Sequence, residues 1–229
     1  SFRSSIRSKF LKFLISAKKK YQFDKKKYKN RHQVEKYNDF INDSLSIDLT
    51  AGKLQIYGYN IAKSEKKILG INPGASYGSA KRWYPQEFAK VASELSSKYN
   101  IVILGGPSES DIARDIERAL IDSGIKNYKN IAGNMTITGL INQIARLDLF
   151  ITGDSGPMHI AAAFQVPTVA IFGPTKNKET SQWMNKKSII VKKNLDCQPC
   201  MKRTCPLKHH NCMSLIKSVD ILNAVNKLI

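Results

Sequence analysis

The chain has 229 residues, 42% hydrophobic and 24% charged: enough apolar material for one large core and part of a second, and too much for a disordered tail. Its longest uncharged apolar runs, such as 166–173, fall far short of the ~20 residues that a membrane-spanning helix requires. With 37 Lys and Arg against 18 Asp and Glu, the net charge is +19. That excess calls for an anionic partner (nucleic acid, acidic lipid head groups or a phosphorylated substrate) or for a solvated face that keeps the chain in solution.

Much of the charge sits at the start. Thirteen Lys and Arg lie in residues 1–36, against only Asp24 and Glu35. The chain opens without Met, and its first residues lack the apolar stretch of a signal peptide, so it is expected to be a piece of a longer protein. Residues 2–16 read as a basic amphipathic helix. Residues 31–42 have helical spacing through Val34, Tyr37, Phe40 and Ile41, and 48–57 read as a connector. About 45 such charged residues are too few to fold alone. Residues 1–60 are therefore expected to be the tail of a preceding domain plus a connector, and 61–229 a regular domain.

From Lys66 the pattern is regular. Ile68–Asn72 is a short apolar run ended by Pro73-Gly74. A helix is expected over 85–99, a buried strand over 101–104 and a helix over 109–123 with Gly124 as its stop. A helix over 138–146, a strand over 149–152, a helix over 158–164 and a strand over 168–172 follow. Short apolar strands alternating with amphipathic helices predict an α/β fold with a parallel sheet covered on both faces. Ligands of such sheets bind at the carboxyl ends of the strands, so the loops after Asn72, Leu104, Thr152 and Phe172 are the candidates.

The first loop, from Asn72 to Trp83, is rich in small residues. Gly74 and Gly78 let backbone N–H groups approach a ligand, Ser76 and Ser79 add hydroxyls, and Lys81 adds charge. That suits a diphosphate, although the spacing is not that of a P-loop and an ordinary polar loop explains it about as well. After the second strand come Gly105-Gly106-Pro107-Ser108-Glu109. Glu109 could accept from both ribose hydroxyls, although a Ser108 cap with an acid in the first turn needs no ligand. The third loop is Thr152-Gly153-Asp154-Ser155-Gly156-Pro157-Met158-His159. Gly-Asp-Ser-Gly is also found around the nucleophile of trypsin-like proteases, but those are all-β, and here the surroundings are strand, loop and helix. Asp154 at a strand end can hold sugar hydroxyls. Ser155 and Gly156 open a helix whose N–H groups face an anion, and His159 on its first turn reaches the same place.

Together these stretches resemble the ADP-heptose:lipopolysaccharide heptosyltransferases of glycosyltransferase family 9, in particular the type II enzymes. Similar also are Ser1 to Ser4, His32 to Tyr37, Phe172-Gly173-Pro174-Thr175 and the cysteine cluster, all in family order. The resemblance implies a GT-B architecture, two Rossmann-like domains around a cleft. It implies that Ser76 and Lys81 bind the ADP-sugar phosphates, Lys81 also stabilising the leaving diphosphate. Glu109 would bind the ribose, Met135 would lie beside the adenine, and Asp154 would hold the heptose hydroxyls. Ser155, Gly156 and His159 would bind phosphate. It implies inverting, metal-independent transfer onto a heptosyl-Kdo2-lipid A acceptor in lipopolysaccharide core biosynthesis. The family's catalytic base, an Asp in the first loop of the amino-terminal domain, matches no residue here, so this stretch is expected to bind donor without efficient transfer by itself. Heptosyltransferase I, another family 9 sugar transferase and a donor-binding pseudoenzyme are the neighbouring readings. A nucleic-acid-binding module is the reading from a different class; it accounts for the charge but not for the three loops, and no nucleic acid is expected.

Cys197, Cys200, Cys205 and Cys212, with His209 and His210 between them, are compact. They predict a structural zinc site or a set of reduced thiols; no other cofactor is expected. Lys202, Arg203 and Lys208 nearby are candidates for the acceptor side of the cleft. The basic amino-terminal segment fits an anionic glycolipid and the inner face of the cytoplasmic membrane of a Gram-negative bacterium. The expected setting is thus cytoplasmic and peripheral to that membrane.

Overall fold

The computed structural model describes residues 1–3, 5–59, 64–74 and 76–229. Ser4 and Ala75 of the resembling stretches, and the boundary expected at residues 60–61, lie outside them. The chain divides into two compact units. One is Ser1–Gly52 with Lys178–Thr180; the other is Lys53–Asn177 with Ser181–Ile229.

In the first unit α1 (Ile6–Leu14) starts where Ser5 Oγ accepts the Ser8 N–H at 3.3 Å. It buries none of its residues, and Ile6, Phe10 and Phe13 are exposed. α2 (Gln33–Leu45) has a reciprocal cap: His32 Nδ1 accepts from the Val34 N–H at 3.2 Å, and the Glu35 carboxylate accepts the His32 N–H at 2.8 Å. That backbone donor, with Arg31, holds the Glu35 carboxyl below its usual range. Phe23, Tyr28 and Phe40 form a small aromatic core, with Phe23 stacked on Tyr28 at 5.6 Å. Lys36 is buried with its ammonium 2.5 Å from Glu179 Oε2, which explains why three residues from far along the chain belong to this unit.

The second unit alternates strands and helices: β1 (Ile68–Asn72), α3 (Pro85–Leu95), β2 (Asn100–Ile103), α4 (Ser110–Asp122), β3 (Tyr128–Asn130), α5 (Ile137–Ala145), β4 (Leu149–Gly153), α6 (Gly156–Ala163), β5 (Thr168–Ile171), the one-turn α7 (Asn177–Thr180, its last three residues lying in the first unit), β6 (Ser188–Val191), α8 (Asn211–Ser214) and α9 (Ser218–Leu228). The strands form a single parallel sheet in the order β3-β2-β1-β4-β5-β6. This is the α/β parallel sheet that the apolar runs predict, in the doubly wound order whose direction reverses between β1 and β4.

Side chains on successive strand residues point to opposite faces, so each strand feeds two cores. Leu69, Ile71, Ile101, Ile103, Leu149, Ile151, Val169 and Ile171 pack with Phe88 of α3, Ile116 and Leu120 of α4 and Ile221 and Val225 of α9. Val102 and Phe150 face the other way, onto Ile144 of α5 and Ala161 of α6. Each fully buried Ile, Leu or Phe contributes roughly 1.5–3 kcal/mol, which is why these few short strands hold. Gly70 leaves space on the second face: a Cβ there would lie 2.3 Å from Leu147 Cδ1. Among the described residues, no helix is long and apolar enough to cross a membrane.

Candidate functional site

The reversal point brings the first and third candidate loops side by side. Asn72 and Thr152 are register partners at the ends of β1 and β4. Asn72 is buried, and its Nδ2 donates to Thr152 Oγ1 at 3.2 Å and to Ser155 Oγ at 3.1 Å. One amide thus ties both strand ends and the start of α6 together.

Above this tie lies the most polar contact of the site. Lys81 Nζ is 2.6 Å from Asp154 Oδ2 and 3.2 Å from the Asp154 carbonyl oxygen. Thr175 Oγ1 donates to the same Oδ2 at 2.6 Å. The lysine and aspartate side chains are only 12% and 7% exposed, so this is a buried ion pair in which each charge depends on the other. The Tyr77 ring lies 4.7 Å from the ammonium and 5.4 Å from the Arg203 guanidinium.

Glu109 is also buried. Its Oε2 accepts the Gly106 N–H at 2.5 Å, and Ser108 Oγ reaches its Oε1 at 3.4 Å. The residue ends a single turn of 3-10 helix, Pro107–Glu109, just before α4. The carboxylate thus closes this turn on Gly106, while α4 starts at Glu109 without a side-chain cap, and the Ser108 cap that the sequence also allows does not form. Gly74 of the first loop passes directly over it: a Cβ at Gly74 would fall 1.9 Å from Glu109 Cγ. Any side chain at position 74 would push the carboxylate away.

Ser155 precedes α6 in an extended conformation without capping that helix, its hydroxyl being turned toward Asn72 and Thr152. Gly156 is exposed at the helix start, and His159 is half-buried on the first turn. Ser76 is exposed in the first loop. Met135 precedes α5, which is capped by Thr136 Oγ1 accepting the Gly139 N–H at 3.1 Å; it packs against the second apolar cluster. The structure thus joins Lys81 to Asp154 and Glu109 to the first loop. Three residues that sequence reasoning gave no role, Asn72, Tyr77 and Thr175, complete these contacts. Asn72 ends a strand and Thr175 lies in the loop after β5, and only their burial in the fold gives them these roles.

The four cysteines are free thiols, half-buried at Cys197, Cys200 and Cys205 and buried at Cys212. They line one small cavity of about 20 Å³ with His209 and His210. Burial, then the neighbouring thiols of Cys200, Cys205 and Cys197, push Cys212 up to about 11. Among the described residues, no group of three or more His, Cys, Asp or Glu is arranged to hold a metal ion. The cysteines share a cavity without forming the closed ligand set that their spacing suggested.

Residues 5–211 match the model of glycosyltransferase family 9 (heptosyltransferase). The whole chain aligns at 47% identity with lipooligosaccharide heptosyltransferase 2 of Campylobacter jejuni subsp. jejuni serotype O:6, covering 74% of that protein. Over 56% of the chain it is 33% identical to lipopolysaccharide heptosyltransferase 2 of Escherichia coli K12, 37% of which is covered. The solved structure of E. coli ADP-heptose lps heptosyltransferase II superposes with a TM-score of 0.62 at 25% identity, over 83% of this chain and 50% of that one. The family 9 glycosyltransferase from Veillonella parvula, at 22% identity and a TM-score of 0.73 over 90% of this chain and 61% of that one, shares the fold. With a doubly wound sheet, a buried Lys–Asp pair at its reversal point and a family match over most of its length, the chain belongs to glycosyltransferase family 9, the heptosyltransferases.

Proposed function

We propose that this chain carries the donor-binding half of a type II heptosyltransferase, which transfers L-glycero-D-manno-heptose from ADP-heptose to the heptosyl-Kdo2-lipid A inner core. The carrying observation is the Lys81–Asp154 pair at the β1/β4 reversal. A glycosyl diphosphate needs a cation for its phosphates beside an acceptor for its sugar hydroxyls, and these two side chains supply both within 2.6 Å. In this reading Lys81 and Ser76 hold the diphosphate, and Asp154 holds the heptose. Glu109 takes the ribose, Met135 lies beside the adenine, and the α6 start (Ser155, Gly156 and His159) completes the phosphate site.

In the reaction the bond from the anomeric carbon to the diphosphate oxygen breaks as the acceptor oxygen attacks from the opposite face. Negative charge then grows on the departing ADP. Lys81 and the amino terminus of α6 are fixed before reaction where that charge develops, so they stabilise the transition state more than the ground state. The acceptor proton goes to a base that none of these residues supplies. The thirteen basic residues of the first 36, and the exposed apolar side chains of α1, support a cytoplasmic protein held at an anionic membrane surface that carries its glycolipid acceptor.

The cysteines fit zinc in type but not in arrangement, since their thiols share a cavity without converging. No step of transfer is assigned to a metal. Metal analysis of the purified protein tests the structural role: stoichiometric zinc would require the cysteine loop to close further than it does here.

Calorimetric titration with ADP, ADP-heptose and a duplex oligonucleotide tests the whole reading. Binding of both ADP ligands, clearly weakened but still measurable in Lys81→Ala, is the expected result. Salt-sensitive oligonucleotide binding without any response to ADP would replace it with a nucleic-acid-binding module.

A further inference from the structure

The stretch from Cys197 to Cys212 holds no regular structure until α8, and irregular segments of that length in compact domains commonly serve a function. Its contacts are concentrated on two loops of the candidate site. Both backbone groups of Ala80 are taken by it: the Ala80 N–H donates to the Arg203 carbonyl at 3.0 Å, and the Ala80 carbonyl lies 2.9 Å from His210 Nε2. Tyr77 OH donates to the Met201 carbonyl at 2.6 Å. Gly78 comes so close that a Cβ there would lie 2.3 Å from the Arg203 carbonyl oxygen, and its φ of +153° suits glycine. On the other side the Met201 N–H donates to the Pro174 carbonyl at 2.9 Å, and Gln198 Nε2 to the Gly173 carbonyl at 2.7 Å. The residue after Ala80 is Lys81, and the residue after Pro174 is Thr175. These are the two groups that grip Asp154 Oδ2.

His210 is the side chain that spans this brace. A carbonyl only accepts, so Nε2 carries a proton and donates to Ala80. On the opposite edge of the ring Nδ1 lies 3.2 Å from Tyr84 OH, beyond the far end of the same loop. The ring therefore joins the middle of the first loop to its exit. We propose that His210 is a positioning residue for the donor diphosphate: through Ala80 it fixes where the Lys81 ammonium stands, and it touches no substrate itself. This deepens the proposed function and rests on it.

The test is a double-mutant cycle on the full chain, with ADP as the calorimetric probe and melting temperature recorded for each variant. Gln at position 210 can still donate to the Ala80 carbonyl and Leu cannot. His210→Leu is expected to weaken ADP binding about tenfold and His210→Gln by no more than about threefold, the range of one hydrogen bond. In a Lys81→Ala background His210→Leu should cost less than about twofold, because the ammonium it places is gone. A loss of the same size in both backgrounds, or no loss beside a clear Lys81→Ala effect, overturns the proposal. Should His210→Leu fail to fold, Tyr84→Phe, which loosens the ring without removing it, is read through the same cycle. A loss of about threefold that vanishes with Lys81→Ala supports the proposal, and a loss that persists there overturns it. Wild-type protein that binds no ADP at all would instead overturn the donor-site reading.

Discussion

Lys81 Nζ and Asp154 Oδ2 stand 2.6 Å apart at the reversal of the sheet, with Thr175 Oγ1 donating to the same carboxylate oxygen. The pair ties the two loops together. In the proposed reading an incoming diphosphate would share the ammonium with Asp154, while the sugar hydroxyls would offer Asp154 replacement donors.

Asp154→Asn separates these roles. The variant keeps the shape but leaves Lys81 buried without its countercharge, and breaking such a pair costs about 3–5 kcal/mol. Its melting temperature should therefore fall, and ADP should restore part of the loss by supplying a new anion. ADP affinity should be unchanged or higher, while ADP-heptose loses its advantage over ADP. Parallel titrations with both ligands read this out; equal weakening of both would show that Asp154 does not face the sugar.

Gly74→Ala tests the second contact. The new methyl group would fall 1.9 Å from Glu109 Cγ, closer than any real contact, and Glu109 is the more movable partner. Displacing it breaks the hydrogen bond from Gly106 and, in the proposed reading, removes the ribose acceptor. Adenosine-containing ligands should lose about tenfold in affinity, one charged hydrogen bond, while pyrophosphate binding changes little. Competition of pyrophosphate against ADP measures the difference, and a uniform loss would point to collapse of the whole first loop.

The centre of the sheet was legible because its strands are apolar runs bounded by Gly and Pro, and β1, β2, β4 and β5 fall within two residues of where those runs lie. Of the two edge strands, β3 (Tyr-Lys-Asn) has no apolar run, whereas β6 carries Ile189, Ile190 and Val191 and was open to reading. α9 was open to reading, with Ile221, Ala224 and Val225 at helical spacing. At the site, Lys81, Glu109 and Asp154 stood out as charged residues in the loops that follow strands. Asn72 and Thr175 did not, because a buried amide or hydroxyl is identified by its partners, and those lie 80 and 21 residues away in sequence. The cysteine segment was readable as a cluster, but not as a brace, since its contacts to Tyr77, Ala80 and Pro174 are mostly backbone groups and leave no trace in residue type.

The thiols themselves should react unequally. Cys212 is buried, and with its neighbours this pushes its thiol from 9.0 up to about 11. At pH 8 it then holds about a hundredfold less thiolate than an ordinary cysteine. Timed alkylation followed by peptide mass spectrometry should find Cys212 the slowest of the four, gaining on the others as pH is raised toward 10. Protection of all four together, released by a chelator, would be the result of a bound metal instead.

The helix that follows the first loop is fixed at its start by an acid. Glu87 Oε2 accepts the Ser218 N–H at 2.6 Å, joining α3 to α9 on the face of the sheet below the site, and Lys90 lies 3.2 Å from its other oxygen. Burial pushes the Glu87 carboxyl up, but the Ser218 N–H and Lys90 outweigh it and the net shift is below 4.5. A depressed carboxyl stabilises the fold above its unfolded pKa, near 4.5, and that contribution is lost as pH falls through the lower folded value. Lys90 is largely exposed and adds little, so the hydrogen bond from Ser218 carries most of the effect. In Glu87→Gln a neutral oxygen can still accept that bond, so the expected loss at pH 7 is about 1 kcal/mol, the difference between a charged and a neutral acceptor. Urea titrations from pH 7 down to 3 should show wild type and variant converging as pH falls below 4.5 toward the lower folded value, where the folded carboxyl becomes protonated. A gap that stayed constant across that range would mean that Glu87 holds α3 and α9 by shape alone.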